Sequence, residues 1–214
     1  MTYLEIVNDV LGRMRESSVA TVTATTYSTL IGKYVNDAKR QVENAWNWEC
    51  LYTTITVNTV AGTSGYTVTG SGKTQKNESV FDTTNQAHLQ KVPLSWIKKQ
   101  QQLTTVQQAQ PAYYAWSGNN GTDSTVEFFS TPNSIAAIKF NMYVPQVDLS
   151  ASGDICLVDG IAVALGAYAR AIVERGEDGG IGSNEAGMMF KSHVSDLIAL
   201  EASRSIENDA WVAC

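Results

Sequence analysis

The chain has 214 residues, is 43% hydrophobic with five tryptophans, and carries a formal net charge of −6. That is apolar material enough for one good core, or for one domain with a large insertion, and it excludes a disordered chain and a surface built to grip phosphates, which needs clustered Lys and Arg. No run reaches the roughly 18 consecutive apolar residues of a membrane span, and the acidic, periodic start MTYLEIVNDVLGRM is a helix, without the basic-then-apolar pattern of a secretory leader.

In chain order, Thr2 and Glu5 stand at capping-box spacing before a first helix expected over Tyr3 to Glu16, with Leu4, Val7, Leu11 and Met14 as its apolar stripe. A Ser/Thr/Val linker then leads to an N-cap at Thr25 or Thr26 and a long helix. Ile31, Val35, Ala38, Val42 and Ala45 fall on one face of that helix, while Lys33, Asp37, Lys39, Arg40 and Glu43 take the other sides. Trp46 and Trp48 close it, and the β-rich run Leu51-Tyr-Thr-Thr-Ile-Thr-Val57 marks the exit into a sheet, so the two tryptophans read as anchors of a helix-to-sheet corner.

From Leu51 to about Asp148 the periodicity becomes that of antiparallel β structure. Ile55/Val57, Tyr66/Val68, Val126/Phe128 and Ile138/Phe140/Met142/Val144 alternate with polar residues. Turns are marked by Ala61–Gly65, Gly70–Gly72 and Asn119-Asn-Gly121, the last between strands expected at Ala112–Trp116 and Thr125–Ser130. One helical segment interrupts the strands after Pro93, which suits a first helical turn. Helical spacing returns at Ile155, Val158, Ala162, Leu165, Ala169 and Ile172, with Asp154 as the natural cap and Gly176 and Gly179-Gly180 as the stop. Gly160, Ala164, Gly166, Ala167 and Ala171 make this helix thin. A last helix starts at Ser183 and fades near Asn208, leaving a short tail with Trp211, Val212 and Cys214.

The fold class is therefore α+β: a helical body of about four helices, residues 1–50 and 149–208, with an inserted antiparallel β-rich region, residues 51–148, and a C-terminal tail, residues 209–214. Chemistry is sparse. Gly70-Ser-Gly-Lys-Thr74 imitates the end of a phosphate-cradling loop, but position 67 is Thr67 where the full pattern needs glycine, and the setting is a β turn. The glycine-rich Gly176–Gly182 carries two acids that would repel phosphate. His88 and His193 belong to no sequence-local metal motif, and Cys50, Cys156 and Cys214 supply no CxxC pair, which suits free, mostly buried thiols. His193 and Asp196 could be combined with a serine into a triad on paper, yet no residue stands out as a nucleophile. Trp96, Tyr113, Tyr114 and Trp116 read as sheet packing, with a saccharide platform as the alternative. No catalytic, cofactor or metal site is expected.

Tyr3-Leu-Glu-Ile-Val-Asn-Asp-Val-Leu11, Val35-Asn-Asp-Ala-Lys39 followed by Trp46-Asn-Trp48, Gly65-Tyr-Thr-Val68 and Lys139-Phe-Asn-Met-Tyr-Val-Pro145 together resemble the head-to-tail adaptor proteins of short-tailed tailed phages, in the same order over most of the chain. The resemblance implies a structural virion protein and not an enzyme, without cofactors. It would form a homo-oligomeric ring, typically of twelve copies, that is fitted under the portal protein and carries the tail nozzle protein. It also implies that the C-terminal segment, here Trp211, Val212 and Cys214, docks on the portal. DNA would pass through such a ring without specific binding, and a net charge of −6 per copy would repel it from the bore. The runner-up reading is a glycan-binding or cell-wall-active tail component.

Overall fold

The computed structural model describes residues 1–103, 108–176 and 181–204. In chain order the elements are α1 (Tyr3–Arg13), α2 (Thr26–Ala45), β1 (Tyr52–Asn58), β2 (Gly65–Thr67), β3 (Lys76–Asp82), β4 (Ala87–His88), β5 (Gln90–Lys91), α3 (Leu94–Leu103), β6 (Tyr113–Asn119), β7 (Ser124–Phe129), β8 (Ala137–Tyr143), α4 (Gly160–Arg175) and α5 (Ile181–Arg204). Five helices and two largely antiparallel sheets make the fold α+β. The chain divides into two compact units, one of Met1–Cys50 together with the chain from Gln146 onward, the other of Leu51–Pro145.

In the helical unit, α1 begins where the Thr2 hydroxyl accepts the Glu5 amide while the Glu5 carboxylate accepts the Thr2 amide, a reciprocal arrangement that satisfies two otherwise orphaned donors. Thr25 and Ser28 repeat the device at the start of α2. The first helix stops at Arg13, earlier than Glu16, because Arg15 takes a left-handed backbone (φ 59°) and the chain turns. Its buried face is Tyr3, Ile6, Val7, Val10 and Leu11.

The fourth helix starts at Gly160 and not after Asp154. Residues before it are extended: Ile155 bridges Thr2, Tyr3 N donates to Asp154 O at 2.8 Å, and Cys156 N donates to Met1 O at 3.0 Å. Ile155 and Leu157 therefore face outward while Cys156 and Val158 face inward, an alternation that a spacing of 3 or 4 residues concealed. Asp154 caps a turn, accepting the Ser150 and Ala151 amides at 2.7 and 2.8 Å, and Asp159 is the N-cap, accepting Ala162 N at 2.7 Å. Gly176, left-handed at φ 64°, ends α4. Because α4 is thin, the run Ala162–Ala167 is buried throughout and the helix packs on α1, α2 and α5. A Cβ at Gly166 would stand 3.0 Å from both the Ala38 Cβ and the Phe190 ring, so only a glycine admits α2 and α5 this closely.

The β unit holds two four-stranded sheets, ordered β1-β8-β3-β4 and β2-β7-β6-β5. The strand pairings are antiparallel except β5 with β6, and this parallel pair and a parallel bridge between Gln108 and Thr131 lie in the region expected to be wholly antiparallel. Its core is built from the alternating inward residues of both sheets, Val57, Val80, Val126, Phe128, Ile138, Phe140 and Met142 among them. The Phe140 ring lies 6.3 Å from those of Phe128 and Tyr114 and 5.7 Å from Trp116. Helix α3 follows Pro93 as expected and buries Ile97 completely.

Candidate functional site

The helical unit carries its charges in an unexpected place. Lys39 and Glu43, placed by periodicity on the solvated side of α2, are fully buried. The chain returning from β8 covers them. Lys39 Nζ donates to Glu43 Oε1 at 3.1 Å, to Gln146 O at 2.6 Å and to Val147 O at 3.3 Å, and Glu43 Oε1 also accepts Gln146 N at 3.2 Å. One turn away, Asn36 both donates to and accepts from the Leu149 backbone at 3.0 and 2.9 Å, and Arg40 pairs with Asp148. Four side chains of one helix thus clasp residues 146–149. Burial pushes the Glu43 carboxyl above the usual carboxylate range against the opposing pull of Lys39 and the Gln146 amide. The sequence signal was ambiguous, since Lys and Glu at i, i+4 form an ion pair on any helix surface; only Ala38 and Val42, one residue before each, hint that the apolar face extends this far.

The candidate motifs fall elsewhere. In the Gly70–Thr74 loop the Gly70 and Gly72 amides already donate to Asp123 Oδ1 at 3.0 and 3.2 Å, so a carboxylate of the protein occupies the place a phosphate would take. His193 Nε2 lies 3.3 Å from Asp159, the N-cap of α4, and not with Asp196. The ring of His88 meets Phe81 edge-on at 4.9 Å. Among the described residues no three His, Cys, Asp or Glu side chains gather to hold a metal ion. Cys156 is buried, which raises its thiol to about 11, whereas Cys50 is exposed.

Of the aromatic set, Tyr114 is buried with its hydroxyl accepting from Asn77 Nδ2 at 2.7 Å, and Trp116 packs on the core. Trp96 and Tyr113 are half-buried against each other and against Phe129. Trp48 is buried at 7% exposure, and its indole N–H donates to Val42 O at 2.7 Å; Trp46, the C-cap of α2, is half-buried. Trp211, Val212 and Cys214 lie outside the described residues.

The helical unit also turns large apolar side chains outward, Val147, Ile155, Leu157, Ile161, Val173, Met188, Met189 and Leu200 among them. By fold this is an α+β protein with a clasped helical unit and a two-sheet β unit. The profile of the SU10 adaptor protein family matches residues 1–209, and the chain belongs to that family. It is a phage adaptor, a structural component of the virion. No curated protein matches the chain.

Proposed function

We propose that the protein forms an adaptor ring of twelve copies between the portal and the tail nozzle of a short-tailed phage and lines part of the conduit for DNA ejection. The observation that carries this reading is the outward apolar side chains of the helical unit in a chain of the adaptor family. A lone subunit has no use for them, whereas a ring subunit buries them against neighbours. The helical unit makes the ring contacts, and the β unit projects toward the tail. The C-terminal tail with Trp211, Val212 and Cys214 docks on the portal, with Trp211 as the anchor. The net charge of −6 keeps the bore from holding DNA.

Native mass spectrometry of the purified chain, alone and with the portal protein of the same phage, tests the ring. A twelve-copy species in either condition is expected, and a monomer in both overturns the proposal. Crosslinks from Lys73, in the β unit, are expected to reach nozzle peptides; crosslinks confined to portal peptides would reverse the orientation. The role involves no turnover, so ATP hydrolysis abolished by Lys73→Ala would contradict it.

A further inference from the structure

The tip of the β6–β7 hairpin carries the one Asn-Gly pair in the sequence, Asn120-Gly121. Glycine after asparagine is the step at which a chain modifies itself most readily, because no side chain obstructs the approach of the glycine nitrogen to the asparagine side chain. In that reaction the Gly121 nitrogen bonds to the Asn120 Cγ and the Cγ–Nδ2 bond breaks. The Gly121 amide proton leaves with Nδ2 as ammonia, and a succinimide ring remains. One water then opens the ring at either carbonyl, giving aspartate or, with the main chain routed through the former side chain, isoaspartate. No oxidant or second protein is needed, and Asn119, Asn120, Gly121 and Thr122 are all exposed to water.

In the folded hairpin both groups that must meet are already engaged. The Gly121 amide donates to Asn119 Oδ1 at 3.1 Å. Asn120 Oδ1 accepts the Thr122 and Asp123 amides at 3.0 and 2.8 Å, and the Asn120 amide donates to Asp123 O at 3.0 Å, which closes the turn. The attacking nitrogen has to lose its proton, and a hydrogen bond from that N–H to Asn119 favours keeping it. Two amides on Asn120 Oδ1 would also steady charge developing there. That help comes into play only once the Gly121 nitrogen is freed from Asn119 and the backbone turns about Gly121, which is held at φ 100°. Holding therefore outweighs helping while the turn is closed.

We propose that Asn120 is a covalent modification site of the β unit, converting to isoaspartate when the hairpin tip opens, and that Asn119 is the residue that holds it closed. The consequence reaches past the tip. Asp123, whose amide Asn120 holds, accepts the Gly70 and Gly72 amides at 3.0 and 3.2 Å. Its neighbour Ser124 donates from its amide to Ser71 Oγ at 3.1 Å and from its hydroxyl to Gly72 O at 2.8 Å. Isoaspartate lengthens the main chain by one carbon and leaves a free carboxylate beside Asp123, so the Gly70–Thr74 loop loses its anchor together with the tip. The inference is independent of the ring reading.

The test incubates the full chain at mildly alkaline pH, folded and in concentrated urea. Conversion is read as a gain of about 1 Da in the peptide that contains Asn120 and as methyl acceptance from an isoaspartate methyltransferase. Asn120 is expected to convert in urea and to convert about tenfold or more slowly in the folded chain. Asn119→Ala, at an exposed position, is expected to match wild type in urea and to convert about threefold or more faster than wild type when folded, the loss of one hydrogen bond. Asn119→Asp keeps an accepting oxygen and is expected to convert as slowly as folded wild type. No mass gain at Asn120 in urea overturns the site. Equal rates for folded and unfolded chains, an unchanged rate in Asn119→Ala, or fast conversion in Asn119→Asp overturns the hold by Asn119.

Discussion

Lys39 and Glu43 are an ion pair at zero side-chain exposure that persists because each is paired and bonded to the backbone of the returning chain. Lys39→Met is expected to cost about 3–5 kcal/mol, since it strands a buried carboxylate, and Lys39→Met with Glu43→Leu to recover most of that loss. Urea unfolding of both variants checks it. The Glu43 carboxyl titrates above its ordinary value because of burial, so the folded form takes up a proton more readily than the unfolded chain. The damage in Lys39→Met should therefore grow as pH rises from the unfolded carboxyl value of about 4 through the raised one, and shrink in acid. Asp154 behaves in the opposite sense. The Ser150 and Ala151 amides hold its carboxyl below the ordinary value, so its contribution is present above the unfolded pKa and is lost as pH falls through the depressed one. The Tm deficit of Asp154→Ala should be full at pH 7 and vanish in strong acid.

At the scale of elements, the caps of the first two helices were legible, since each is made to a partner three residues on. Thr2 with Glu5 and Thr25 begin their helices as their spacing predicts. The start of α4 was not legible, because Ile155 is held extended by its bridge to Thr2, more than 150 residues away in sequence, and no local pattern records that. The end of α2 separates its two tryptophans. Trp48 is buried and bonded to Val42 O, while Trp46 is half-buried. Trp48→Ala is expected to cost about 3–5 kcal/mol through the cavity it leaves, and Trp46→Ala less than half as much. Chemical denaturation of the two variants side by side measures the ratio, and equal losses would contradict it.

For the whole molecule, the proposed portal contact of the tail predicts that truncation after Asn208 leaves the Tm of the isolated chain unchanged and abolishes its complex with the portal. Early melting, or a normal complex, would count against it. The amino-acid sequence by itself determined the α+β class, the helical and β stretches, and the alternation that builds the β core, because side-chain periodicity is a local property that a period of 2 or 3.6 residues records directly. It also carried the motifs that resemble phage adaptors. Only the tertiary structure decided that Lys39 and Glu43 are interior, that Asp123 fills the Gly70–Thr74 loop and that β5 pairs in parallel. Each of these depends on which distant segment covers a given face. An i, i+4 Lys–Glu pair looks the same in sequence whether water or residues 146 and 147 lie above it, and burial is set by that covering segment alone.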